Sequence, residues 1–165
     1  MDIEALYNQY QPGLLRYLTR FTGDPHEAED VAQEAYLRLV RSPPDREDNL
    51  RGWLFVVATN VARDRSKKRL EDALPPNAID SIPAPGRAWD PAATLECKEI
   101  GEIVRRVLAK LTKRERTVLL MRQEGFDHKE IAEAVGATTK SVGTMIFRSL
   151  NRLKQELGDV VEELR

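Results

Sequence analysis

Apolar residues recur along this chain at intervals of three and four, the spacing of one face of an α-helix, and nowhere alternate for long enough to form a useful strand. In HEAEDVAQEAYLRLVR, Val31, Ala35 and Leu39 form one stripe, with Ala28 a turn earlier. Breakers divide the pattern. Gly23 and Asp24-Pro25 separate a helix over Ile3–Thr22 from a second over Pro25–Arg41, because Pro suits a first helical position behind an Asp cap. Ser42-Pro43-Pro44-Asp45 stops the second helix, and Asn49 caps a third that runs through Trp53, Val57 and Val61 towards Leu70. Pro75, Pro76, Pro83, Pro85 and Pro91 then mark a stretch poor in apolar residues, with the composition of a semi-extended linker. Asp90-Pro91 opens a fourth helix that continues to about Lys110. The pattern predicts an all-α fold, two small helical domains over 1–70 and 92–165 joined by a Pro-rich linker over 71–91.

The segment Leu111–Leu157 carries the sharpest pattern, that of a helix-turn-helix with its supporting helix. Thr112 and Glu115 form a capping box that starts one helix, and Gly125 suits its left-handed end. Asp127 and Glu130 make a second box ahead of a short helix, His128–Val135. Gly136 supplies the turn, and a longer helix follows from about Thr139 to Leu157. Ile131, Val135, Val142 and Met145 are the apolar positions that pack the two helices, with Ala132 small at their crossing. The last residues, GDVVEELR, read as a frayed acidic tail.

Charge changes the picture through its distribution. The formal net charge is −1, so no global excess advertises nucleic acid. Residues 1–50 hold ten acids against five arginines, whereas Arg51, Arg63, Arg65, Lys67, Lys68 and Arg69 oppose only Asp64 in residues 51–70. A second basic stretch spans Arg105–Arg116, and Lys140, Arg148, Arg152 and Lys154 line the last helix with no acid between Thr139 and Gln155. Phosphate binding scales with local cations, so these three stretches suit DNA and the acidic first third suits a protein face. Asp30, Gln33, Glu34 and Leu37 fall outside the second helix's core stripe and would be presented to such a partner. Trp53 and Phe55 beside a basic helix suit stacking on unpaired bases; the plainer alternative makes both aromatics core.

Little else points to chemistry. The lone Cys97 excludes an internal disulfide framework and suits a reducing cytoplasm. His26 and His128 have no spacing that joins them to Cys97 in a metal site, and no paired carboxylates or nucleophile suggest an enzyme. No cofactor, metal or small-molecule substrate is expected. No apolar run approaches a membrane span, and MDIEALYNQY is not a secretory signal.

Together the two halves resemble a bacterial RNA polymerase sigma factor of the extracytoplasmic-function type, the minimal class with regions 2 and 4 of the sigma-70 family. EDVAQEAYLRL resembles region 2.2, NLRGWLFVVATNVARDRSKKR resembles regions 2.3 and 2.4, and the helix-turn-helix resembles region 4.2. The resemblance implies an alternative sigma factor that brings core polymerase to particular promoters and helps open them. It implies that Asp30, Gln33, Glu34 and Leu37 dock the β′ clamp helices, and that Trp53 and Phe55 lie near melted DNA. It further implies that Asn60 reads the −10 element with Arg63, Lys67 and Lys68 on the backbone, and that the Ser42–Leu50 segment holds a flipped base. Thr139, Lys140, Ser141 and Thr144 would then lie nearest the −35 base edges, with Arg148 and Arg152 on phosphates. The Arg105–Arg116 stretch would meet phosphates and the β flap, or be solvated. One departure is Gly143, where many relatives carry Arg or Lys; a glycine there either admits close backbone approach or leaves readout to groove shape. The implied partners are core polymerase, promoter DNA and an anti-sigma factor. The implied location is the cytoplasm, on the nucleoid in the holoenzyme or held at the membrane through the anti-sigma factor.

Two other classes remain. A helix-turn-helix regulator of the response-regulator type explains 111–157 and leaves EDVAQEAYLRL and Trp53–Arg69 unexplained. A sigma mimic that titrates an anti-sigma factor would need the docking surfaces and none of the basic and aromatic residues of 53–69.

Overall fold

The structure, a computed structural model, describes residues 1–45, 47–73 and 95–165, with the side chains of 71–73 and 95–97 excepted. The expected linker over 71–91, the helix start at Asp90-Pro91 and the Cys97 thiol therefore lie largely or wholly outside the described residues. Among the described residues all regular structure is helical. The chain divides into two compact units, Met1–Gly86 and Arg87–Arg165.

The first unit packs α1 (Ile3–Thr22), α2 (Pro25–Arg41) and α3 (Leu50–Ala73) around one core. Each boundary has a local cause. The Asp2 carboxylate accepts from the Ala5 amide at 3.1 Å to start α1, and Gly23, at φ 75°, ends it in the left-handed region. Asp24 then caps α2, accepting from the His26 amide at 2.9 Å with Pro25 behind it. Asn49 starts α3 by accepting from the Gly52 amide at 3.0 Å. A Cβ on Gly52 would lie 2.5 Å from Asn49 Nδ2, so a side chain there would push the Asn49 side chain out of its capping position.

Leu14, Tyr17 and Leu18 of α1, Val31, Ala35 and Leu39 of α2, and Leu54, Phe55, Ala58 and Val61 of α3 are buried together. Inside this core Thr59 donates to the Phe55 carbonyl at 2.7 Å, which leaves the Tyr17 hydroxyl, 2.7 Å from Thr59 Oγ1, as the donor to Thr59. Tyr36, on the Tyr7 side of α2, is buried, and that burial pushes its phenol up to about 12. α2 and α3 are further joined through Glu27. Its carboxylate is only 6% exposed and accepts from Arg65 at 2.8 Å and 3.3 Å, and from Arg69. A buried carboxylate is tolerated because two guanidiniums satisfy it, and the Glu27 hydrogen bond raises Arg65 above its ordinary pKa.

The second unit contains α4 (Leu95–Lys110), α5 (Lys113–Gln123), α6 (His128–Val135) and α7 (Thr139–Glu163). Both capping boxes are formed: Thr112 and Glu115 exchange bonds of 2.9 and 3.2 Å, and Asp127 and Glu130 bonds of 2.9 and 2.8 Å. Gly125 (φ 86°) and Gly136 (φ 65°) supply the left-handed turns. Phe126, Ile131 and Val142 are fully buried where α5, α6 and α7 meet, while Val135 and Met145 are only half-buried.

The end of the chain differs from expectation. GDVVEELR is not a frayed tail: α7 continues six residues past Leu157 to Glu163, and Val160 is fully buried. The cause is tertiary. Arg106 on α4 donates to Glu163 at 2.7 Å, and Lys110 lies 3.7 Å from Glu156 and 3.5 Å from Glu163. Packing on α4 overrides the weak propensity of Gly158 and the acid run. Val160→Asp should therefore lower the melting temperature of this unit by about 10 °C or more, the cost of an unpaired buried charge in a small domain. Thermal unfolding followed by circular dichroism checks this, and an unchanged transition would return the segment to a tail.

Candidate nucleic-acid and protein interfaces

The outward side of α2 is set by its core stripe. Val31, Ala35 and Leu39 turn inward, so Asp30, Gln33, Leu37 and Val40, spaced three, four and three apart, share the opposite face. All four are exposed, Leu37 at 47% and Val40 at 57%. Glu34 borders the row, half-exposed. The structure thus brings Asp30, Gln33, Glu34 and Leu37 together and adds Val40, which sequence reasoning missed although its spacing from Leu37 was readable. Two apolar side chains within an acidic row suit a protein partner better than solvent. Neither acid is without a partner: Asp30 lies 3.4 Å from Arg65, and Glu34 accepts from Arg38 at 2.9 Å.

On α3 the two aromatics part company. Residues two apart on a helix point about 200° apart, so one faces inward when the other does not. Phe55 is 1% exposed, with its ring 5.3 Å from Tyr17 and the Arg51 guanidinium 5.6 Å above it. Its placement at the DNA is corrected: Phe55 is a core residue and offers no face to a base. Trp53 is half-buried and lines a pocket of about 300 Å³ with Arg38, Arg41, Ser42, Val57 and Asn60. The pocket sits where α2 ends and α3 begins. Its lining surface is mostly apolar, and among the described residues its neutral polar groups are Ser42 and Asn60 and its charged ones Arg38 and Arg41.

Trp53, Val57, Asn60, Asp64 and Lys67 follow at four, three, four and three, which continues the pocket face along α3. Asn60, Lys67 and Lys68 are exposed and Arg63 is half-exposed. Arg65 and Arg69 turn towards Glu27 and are drawn away from this face.

α7 begins at Thr138, whose hydroxyl accepts from the Ser141 amide at 3.3 Å. Thr139, Lys140, Thr144 and Arg148 are exposed. Ser141 is half-buried and its hydroxyl donates to the Thr138 carbonyl at 2.8 Å, so it serves the cap. Arg152 is exposed and pairs with Glu156 at 3.0 Å. Phe147, missed in the sequence, is the most exposed large apolar side chain among the described residues at 66%, and lies on the same side of the helix as Lys140, Thr144 and Asn151. A Cβ at Gly143 would meet nothing nearer than His128 Cε1 at 3.8 Å, so packing does not demand a glycine there. In the Arg105–Arg116 stretch, Arg105 pairs with Glu102, and Arg106 and Lys110 with the acids of α7.

Among the described residues no group of three or more His, Cys, Asp or Glu side chains could hold a metal ion, and no helix is long and apolar enough to cross a membrane.

The chain matches the sigma-70 region 2 family over residues 6–70 and the sigma-70 region 4 family over residues 101–153. It is 32% identical to the ECF RNA polymerase sigma factor SigL of Mycobacterium tuberculosis over 164 residues, covering 94% of this chain and 90% of that one. It is 27% identical to the ECF sigma factor SigE of Mycolicibacterium smegmatis, of whose length it spans 61%, and 25% identical to the sigma factor YlaC of Bacillus subtilis, of which it spans 96%. Among solved structures, the sigma factor RpoE in complex with the anti-sigma factor NepR from Bartonella quintana superposes with a TM-score of 0.75 at 20% identity, over 95% of this chain and 97% of that one. CnrH in complex with the cytosolic domain of CnrY gives 0.67 at 21%, over 95% and 88%. At these identities the two structures speak for the fold.

Proposed function

The chain belongs to the sigma-70 family as a sigma factor of the extracytoplasmic-function type, an alternative subunit for transcription initiation, and from that premise we propose which of its surfaces does what. The α2 row of Asp30, Gln33, Leu37 and Val40, with Glu34 beside it, docks the β′ clamp helices of core polymerase. The pocket at Trp53 receives an unpaired base of the −10 element, stacked on the indole, with Asn60 at its edge and Arg63, Lys67 and Lys68 along the strand. Extruding a base costs a few kcal/mol of stacking, which an apolar pocket of this size offsets. No bond is made or broken in this step, so strand separation needs no nucleophile or metal of the chain's own.

The exposed side of α7 enters the major groove at the −35 element through Thr139, Lys140 and Thr144, with Arg148 and Arg152 on phosphates and the Ser141 hydroxyl holding the cap. Phe147 joins that face as an apolar contact suited to a thymine methyl group. Domains 1–70 and 92–165 act as two weak readers, and residues 71–91 as the tether that makes their binding effectively intramolecular. An anti-sigma factor is a further partner, a reading supported by the structural neighbour that is bound to the anti-sigma factor NepR. Transcription with polymerase places the protein in the cytoplasm.

The observation that carries this reading is the Trp53 pocket: a mostly apolar cleft rimmed by cations, on a unit whose acidic α2 row suits a protein. Its test is a set of defects that separate. Lys140→Ala should weaken transcription from selected promoters about tenfold and leave polymerase affinity unchanged, since one exposed major-groove donor is removed. Equal loss on promoters and on polymerase would place Lys140 in the fold or at the polymerase.

A further inference from the structure

Glu34 belongs to two surfaces at once. It borders the α2 row proposed to dock polymerase, yet its Oε1 accepts from Arg38 Nε at 2.9 Å, and Arg38 lines the Trp53 pocket. We propose that Arg38 is a nucleotide ligand of that pocket, gripping the phosphate of the extruded residue together with Arg41, and that Glu34 withholds it until polymerase engages the carboxylate. The inference rests on the reading of the pocket as the seat of an unpaired base.

The chemistry of the lining divides the nucleotide between its parts. Trp53 and Val57 offer flat and apolar surface, which suits a base, and Asn60 and Ser42 are the neutral groups able to meet its edge. A base face can stack on the plane of Arg38 or Arg41 but leaves its charge uncompensated, whereas a phosphate neutralises it. Their planar, always charged forks match a phosphate. Both stand in the last turn of α2, where the helix's own carbonyls favour cations and hold them at the pocket mouth.

In the chain alone that mouth is partly neutralised. A strand approaching Arg38 meets a guanidinium already paired and the Glu34 carboxylate beside it. The pair is held loosely: the Arg38 and Glu34 side chains are 47% and 37% exposed, so exchanging partners costs little and takes a rotamer change without backbone movement. A basic docking partner on the acidic α2 row would supply Glu34 with a new cation and release Arg38 towards the strand. Arg65 has no equivalent freedom. If a partner takes Asp30, the buried Glu27 still holds Arg65. Arg38 is thus the arginine at which docking and strand capture can be exchanged.

The test is a mutant cycle on the full chain, with binding of a fluorescein-labelled single-stranded 12-mer of mixed sequence read by anisotropy at low salt. Glu34→Gln should tighten binding by the free chain about two- to fivefold, the range an exposed ion pair supports. In the Arg38→Ala background Glu34→Gln should give less than half of that gain, because most of it comes from the released Arg38 guanidinium. In the holoenzyme Arg38→Ala should weaken strand binding about three- to tenfold at unchanged polymerase affinity. A gain of equal size in the Arg38→Ala background would mean a general charge effect and would overturn the proposal. So would no gain at all, or a holoenzyme indifferent to Arg38. If wild-type holoenzyme holds the strand no better than core polymerase, the pocket reading itself falls, a result distinct from a flat cycle.

Discussion

Asp30→Arg combined with Glu34→Arg should abolish polymerase binding, by about a hundredfold or more, while the protein keeps its helical content. Close charge pairs at protein interfaces couple by about 1.5–7 kcal/mol, and each reversal turns such an attraction into a repulsion. Two together exceed the roughly 3 kcal/mol that a hundredfold loss requires. The fold is spared because both residues lie on the outer side of α2, away from Val31, Ala35 and Leu39. Within the chain the double variant breaks the ion pairs with Arg65 and Arg38, which are exposed and worth about 0–1 kcal/mol each, and Glu27 continues to hold α2 to α3. Native gel or fluorescence titration against core polymerase measures the loss, and circular dichroism the fold. Wild-type affinity in the double variant would remove the α2 row from the interface.

Phe55→Ala and Trp53→Ala should fail in opposite ways. Phe55 fills the centre of the first unit against Tyr17, so its truncation should cost about 3–5 kcal/mol, which in a domain of this size lowers the melting temperature by at least about 12 °C. Trp53 is half-buried at the pocket, and its truncation should cost about 1–2 kcal/mol of stability. In the holoenzyme, Trp53→Ala should leave polymerase binding intact and reduce promoter opening about tenfold, as loss of one base-stacking platform implies. Permanganate reactivity of unpaired thymines reads the opening. If Trp53→Ala opened promoters as well as wild type, Trp53 would be a packing residue like Phe55.

The two aromatics show how far the chain could be read without coordinates. Their composition and place were plain, and both suited stacking, but treating them as a pair ignored the rotation of about 200° that separates residues two apart on a helix. The starts and stops of helices were legible because they rest on local chemistry. The capping boxes at Thr112 and Asp127, the Asp24-Pro25 start and the left-handed glycines each depend on residues within a few positions. What depended on distant partners was not legible. Glu27 reads as one more acid in an acidic helix, yet it is buried by arginines 38 and 42 positions away. The last turns of α7 look frayed until Arg106 and Lys110 of α4 are placed beside Glu163. Phe147 was passed over because its neighbours on the helix carried the core pattern, and only its exposure marks it as available to a ligand.

The central claim is that this chain gives core polymerase a promoter preference that requires both units. Run-off transcription from a fragmented genomic library, with purified core polymerase in the presence and absence of the protein, tests it most directly. The account predicts protein-dependent start sites that share two upstream elements at fixed spacing, with those transcripts lost in Asp30→Arg/Glu34→Arg. Polymerase binding with no new start sites would contradict the account and favour a mimic of the sigma docking surfaces; no polymerase binding would leave a plain helix-turn-helix regulator.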